Sequence, residues 1–207
     1  MHDFKIKIDS GEATTNFYGA YDGHGGDTVS EYLAQHMHEH MAEHGGFIGN
    51  PLVCMKEAIK SMDERVLKEH QQMPHTCGSC CTIFSVRPEV KKMYAAWCGD
   101  SRCVLSRNGK SVDLSTDHKP YVPSEVKRIE AAGGYVEDNR VCGNLAVSRA
   151  IGDYMMKDFK EEHPQLKQKV GRGGEMYLIE IQRERETDTE RETETDKERS
   201  PDREFTK

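Results

Sequence analysis

The chain has 207 residues, 36 acidic against 29 basic side chains and a formal net charge of −7 at pH 7. That length suits one domain with a core of ordinary size, and the mild acidity excludes the basic surface of a nucleic-acid binder. No apolar run approaches the roughly 20 residues that span a bilayer, and "MHDFKIKIDSGEATT" lacks the hydrophobic stretch of a signal peptide, so the expectation is a monomer of the cytoplasm or nucleus, with no membrane and no nucleic-acid partner.

Taken in chain order, Phe4, Ile6 and Ile8 alternate with Lys5, Lys7 and Asp9, the period-two pattern of a half-buried strand. A "DSGE" turn and a second apolar run, Phe17 to Tyr21, predict an opening hairpin. Asp22, Gly23, His24, Gly25 and Gly26 follow, and then Val29, Leu33 and Met37 recur at helical spacing beside Tyr32. The order is strand, glycine turn, helix. Glycines let backbone groups approach a ligand closely, so the turn suits a hard metal ion or a phosphate. It equally suits a tight turn in which Asp22 only hydrogen-bonds the loop. Helices are predicted over about 27–44 and 52–70, separated by "GGFIGNP". In the first, His36, His40 and His44 share a face at i, i+4 spacing and read as a solvated face, because no cysteine partner is evident.

From Cys80 the pattern changes to short strands, "CCTIFSV", "KKMYAAWCG" and "RCVLSRNGKSVDLS", the last with an Asn-Gly hairpin turn. Ser124 is a candidate N-cap for a short helix that Gly133 stops. Strands and helices come in runs, which predicts an α+β domain of antiparallel sheet with helices packed outside. The seven cysteines are an odd, scattered set that reads as reduced thiols. Cys77, Cys80, Cys81, Cys98 and Cys103 could form a zinc site, but they lie in or beside apolar strands where cysteine behaves as a small hydrophobe. Composition breaks near Gly171, and the Arg/Glu/Thr/Asp repeat over 183–207 can bury almost nothing. The expected division is a domain over 1–170 and a charged, disordered tail over 171–207, which is either solvated or an interaction segment.

Taken together, "YDGHGG", "CGDSRCVLSRNGK", "STDHKP", "EVKRIEAAGGYV" and "GNLAVSRAIGD" resemble, in order and spacing, the metal-dependent Ser/Thr protein phosphatases of the PPM or type 2C family. The resemblance covers about Phe17 to Lys157 and extends weakly over 1–170. It implies an αββα sandwich, two packed antiparallel sheets flanked by helices, with two Mn2+ or Mg2+ ions at one end and a weak third. It also implies phosphoprotein substrates and hydrolysis of phosphoserine or phosphothreonine by a metal-activated water. By resemblance Asp22 bridges both metals, Gly23 offers its carbonyl, and His24 protonates the leaving oxygen. Asp117 matches an aspartate tied to the third metal.

Two groups of motif residues have other expected roles. Asp100 and Arg102 are expected to fix a hairpin turn rather than touch substrate, and Ser148, Arg149 and Asp153 to hold the region beneath the flap through an Arg–Asp pairing. His118 and Lys119 have no assigned role.

Two departures stand out. The family's phosphate-gripping Arg and its Met-Glu-Asp segment have only Met1, His2 and Asp3 to match, leaving Asp3 as the remaining acid. After "LKQKV" the family's "DG-W-D" and "DN" segments do not appear, so the fold is expected to be incomplete at the C-terminus. The alternative reading is therefore a non-catalytic relative that binds phosphoproteins or competes with a full-length phosphatase.

Overall fold

A computed structural model of the chain describes residues 2–8, 13–44, 47, 49–69, 76–157 and 178–182. Strand β1 (His2–Ile8) pairs antiparallel with β2 (Ala13–His24), Phe4 opposite Phe17 and Ile6 opposite Thr15, which is the expected hairpin. β2 continues the sheet with β3 (Gly78–Arg87), and β3 with β4 (Lys92–Cys98). A 3-10 turn at Pro88–Val90 joins the last two.

Helices α1 (Thr28–Glu43) and α2 (Pro51–Lys68) lie between β2 and β3 in the chain and pack against each other and the sheet. α1 turns Val29, Leu33, Met37 and Met41 inward at spacings of four. α2 starts on Asn50, whose side chain accepts the Val53 N–H at 3.2 Å, with Pro51 in the first turn where its missing N–H costs nothing. Met55, Ile59, Met62 and Val66 then meet Phe17, Cys81, Ile83 and Ala96 in one core. Each of the larger of these side chains stabilises the fold by roughly 1.5–3 kcal/mol through the area it removes from water.

Beyond β4, a hairpin of β5 (Val104–Arg107) and β6 (Lys110–Asp113) turns on Asn108 and Gly109, both at positive φ as the Asn-Gly signal requires. α3 (Pro123–Ala131) is followed by the small ribbon β7 (Val136–Glu137) and β8 (Arg140–Val141). β9 (Ile151–Gly152) then returns to pair with the start of β3, and α4 (Tyr154–Lys157) follows.

Two expectations change. Ser124 is not the N-cap of α3: Val122 holds that position, and Pro123, with its fixed φ, opens the helix. Leu178–Gln182, assigned from composition to the tail, forms β10 and pairs antiparallel with β4, because "LIEIQ" alternates as a strand within charged surroundings. The α+β arrangement of antiparallel sheet with helices packed on it is as expected, and the described residues supply one six-stranded sheet and two two-stranded ribbons. The thiols behave as the small core side chains expected of them: Cys77, Cys80, Cys81 and Cys98 are all buried, and the last two pair across β3 and β4 inside the core. Burial pushes the Cys98 thiol up to about 12, the behaviour of a packed, unreactive sulfur. The repeat over 183–207 lies outside the described residues.

Candidate functional site

β2 carries Asp22, Gly23 and His24 to its C-terminal end, where they sit opposite Cys80, Ser79 and Gly78 of β3. The chain then turns through Gly25 and Gly26, both at positive φ, into α1. A Cβ on Gly25 would run into the Thr76 carbonyl, so glycine is required there both by backbone angle and by space. The turn opens on a cavity of about 580 Å³, lined by Asp22, Gly23, His24, Cys80, Asp100 and Asp153 together with Arg140, Asn144, Leu145, Met155 and Met156.

Within this wall His24 is tied down. Its Nε2 lies 2.9 Å from each carboxylate oxygen of Asp153, a residue that is 3% exposed. Burial works against a charged imidazole, but the hydrogen bond and charge of Asp153, helped by Asp22 and Asp100, outweigh it and hold the His24 pKa above its ordinary value. Two backbone features make the contact possible. Asp153 itself sits at φ 52°, a conformation tolerated by Asp more readily than by most residues. Gly78 faces the pair, and a Cβ there would stand 2.5 Å from both His24 Nε2 and Asp153 Oδ1.

Asp100 lines the cavity as well. Its Oδ1 accepts from Cys80 Sγ at 3.2 Å and its Oδ2 takes the Lys119 ammonium. Burial raises the carboxyl, and Lys119 and Cys80 more than reverse this, leaving its pKa below the usual carboxylate value. Burial pushes the Cys80 thiol up to about 12, so it faces the pocket as a neutral S–H.

Asp117 is elsewhere. It takes a two-pronged ion pair from Arg102, at 2.8 and 2.9 Å, and is not among the residues of the cavity wall. Asp3 pairs in register with Tyr18, four residues before Asp22, which is about 14 Å along the strand. The structure thus brings Asp22, Gly23 and His24 together and leaves Asp117 and Asp3 apart from them.

The motif "SRAIGD" divides between the wall and its support. Arg149 does not pair with Asp153. It grips Glu125 of α3 through Nε at 2.9 Å and Nη2 at 2.5 Å, while Arg128 adds a 2.8 Å contact to the same carboxylate and another, at 2.7 Å, to the Ser148 carbonyl. Burial opposes the Glu125 charge, yet these arginines hold its pKa at about 2. His118 is buried beside this cluster, stacked on Trp97, with Nδ1 accepting the Gly99 N–H at 3.0 Å. Burial, then the charge of Arg149, lowers its pKa to about 4. Lys157 and Asp63 form a second buried pair at 2.6 Å, and Asp63 also receives the Gly152 N–H at 3.0 Å. Sequence reasoning missed Glu125 and Asp63; the only available signal was a charged residue falling on the apolar stripe of its helix.

A divalent metal would find the right kind of donor here. Carboxylate and carbonyl oxygens at the end of β2 suit Mn2+ or Mg2+. They fall short in number: among the described residues no group of three or more His, Cys, Asp or Glu side chains converges to hold a metal ion.

Residues 1–187 match the family model described as Protein phosphatase 2C. The chain is 37% identical over 175 residues to the probable protein phosphatase 2C 45 of Oryza sativa subsp. japonica, covering 82% of this chain and 61% of that one. It is 37% identical over 153 residues to protein phosphatase 2C homolog 2 of Hypocrea jecorina, covering 72% and 34%. Among solved structures it resembles a phosphatase from a pathogenic strain of Toxoplasma gondii, with a TM-score of 0.67, 26% identity and coverage of 81% and 65%. It also resembles a C. elegans sex-determining protein, with a TM-score of 0.71, 25% identity and coverage of 89% and 45%. The chain thus spans between about a third and three fifths of the length of these two curated relatives.

Proposed function

The chain belongs to the protein phosphatase 2C family, and on that premise we propose that it serves the metal-dependent hydrolysis of phosphoserine and phosphothreonine in proteins. The observation that carries this reading is the placing of Asp22, Gly23 and His24 on one cavity wall. Mn2+ or Mg2+, when bound, supplies the positive charge that a phosphate dianion requires. The chain's own residues do the remaining work. Asp22 and the Gly23 carbonyl offer hard oxygens. His24, kept oriented and basic by Asp153, holds a proton at the wall from which a leaving serine or threonine oxygen can take it. Leu145, Met155 and Met156 give the same cavity an apolar portion of its lining. Cytoplasmic or nuclear residence and a monomeric state belong to the same proposal.

The short donor count favours a second reading, a non-catalytic phosphoprotein binder. Electrostatics count against it. Asp22, Asp100 and Asp153 line the cavity, and Lys119, His24 and Arg140 at most offset them, so a metal-free wall has no surplus positive charge for a phosphate.

Phosphate release from a phosphothreonine peptide in millimolar Mn2+ tests the proposal. Because weakly held ions are poorly positioned, turnover by the 207 residues is expected to be at least ~100-fold slower than by the rice relative. Whatever remains is expected to vanish in Asp22→Asn. Turnover that survives this substitution contradicts the assignment.

A further inference from the structure

His40 and His44 are more than a solvated face, although His44 is exposed and His40 half-buried. Both rings lean onto α2, where His40 Nε2 lies 2.7 Å and His44 Nε2 2.6 Å from the same oxygen, the Ser61 hydroxyl. That hydroxyl has one proton, and the Glu57 carbonyl at 2.8 Å is placed to receive it as an ordinary intrahelical contact. Each imidazole then points an Nε2–H at one central atom. The two ring centroids are 5.3 Å apart and the rings stand at 80°, edge to face.

We propose that His40 and His44, converging on Ser61, form a chelating site for a borderline divalent transition metal ion such as Zn2+, separate from the Asp22 pocket. Two imidazole nitrogens one helical turn apart and aimed at a common point already have the convergence that a bidentate pair needs. Binding moves each ring proton from Nε2 to Nδ1 and lets the ion take the place where the two N–H vectors now meet. Ser61 turns aside, still bonded to the α2 backbone, and solvent completes the tetrahedron. Entry is open, because His44 is exposed while His40 is half-buried. Burial, the neighbouring His44 and Arg65 lower the His40 pKa more than Glu43 and the Ala58 backbone raise it, which favours the neutral imidazole that a metal ion requires. His40 lies about 18 Å along α1 from Thr28, the end of the helix that abuts the pocket. Imidazole ligands also separate this site chemically from the oxygen donors of Asp22 and Gly23.

The full chain, titrated with Zn2+ in excess Mg2+ so that oxygen sites are occupied, provides the test. The Hε1 resonances of His40 and His44 are expected to shift together and saturate at one equivalent of zinc. By calorimetry His40→Gln and His44→Gln should each weaken that site by at least ~10-fold, and the double variant should lose it. Ser61→Ala should retain it, since both nitrogens remain. Unmoved resonances in the wild type, or zinc binding unchanged in the double variant, would overturn the proposal and leave the rings as hydrogen-bond partners of Ser61 alone.

Discussion

Asp22 stands on the wall of an open cavity at the end of β2, beside Asp100 and Asp153, which are already bonded to Lys119 and His24. The charges of the supporting layer are arranged differently. Glu125 is enclosed by Arg149 and Arg128, and Asp63 by Lys157 and the Gly152 N–H, with all three buried carboxylate and ammonium residues Glu125, Asp63 and Lys157 at most 4% exposed. Asp22 is exposed, while Glu125 spends both of its oxygens, and Asp63 its Oδ1, on fixed donors. The two regions share the short stretch from Ser148 to Lys157, so the support can set where the wall residue Asp153 meets His24. Substitutions should therefore separate sharply into those that unfold the protein and those that only alter the pocket.

The largest effect is expected from Asp63→Ala, which leaves the Lys157 ammonium buried without its carboxylate. Losing one member of a buried pair costs about 3–5 kcal/mol, readable as a shift of the urea unfolding midpoint. Adding Lys157→Met should restore much of that loss, and a double variant no more stable than the single one would break the contrast drawn here.

Next comes acid sensitivity of the support. His118 has a folded pKa near 4 against an ordinary 6.5. Between these values the unfolded chain takes up a proton that the folded one refuses. Stability is therefore complete above about pH 6.5 and falls as pH drops toward 4, by on the order of 3 kcal/mol. Glu125, with its pKa depressed to about 2, extends the loss below its ordinary 4.5. His118→Asn retains an acceptor for the Gly99 N–H and should flatten the upper part of the profile in unfolding curves taken from pH 7 to 4.

A smaller change is expected from Asp153→Asn. The amide tolerates the positive φ and fills the same space, but one charged hydrogen bond to His24 is lost, costing about 1.5–3 kcal/mol. Asp22→Asn should be smallest of all, within about 0.5 kcal/mol by thermal or urea unfolding, since no buried partner is left unsatisfied. A large loss on Asp22→Asn would mean that this carboxylate belongs to the architecture.

Much of the frame was legible because periodicity reports burial directly. Phe4, Ile6 and Ile8 announced a strand, Val29, Leu33 and Met37 a helix, and Asn108-Gly109 a hairpin turn. The Asp22–His24 end of β2 was legible from its glycines. Pairings set by tertiary approach were not. His24 and Asp153 are 129 residues apart and meet only because Gly78 leaves room and Asp153 adopts φ 52°. Glu125 looked like an ordinary surface acid of a short helix, and its burial follows from Arg149 arriving across 24 residues. Strand β10 was hidden by the charged composition around it, since five alternating residues carry little weight inside a polar run. His40 and His44 had the right spacing, but their common focus belongs to α2.

The central claim, that Asp22 anchors a metal-dependent phosphatase pocket, is tested most directly by calorimetric titration of the wild type and Asp22→Asn with Mn2+. The account predicts weak binding by the wild type, as expected for a site with few protein oxygens, and none at the same site in the variant, with both proteins equally folded. Equal binding by the two would contradict it.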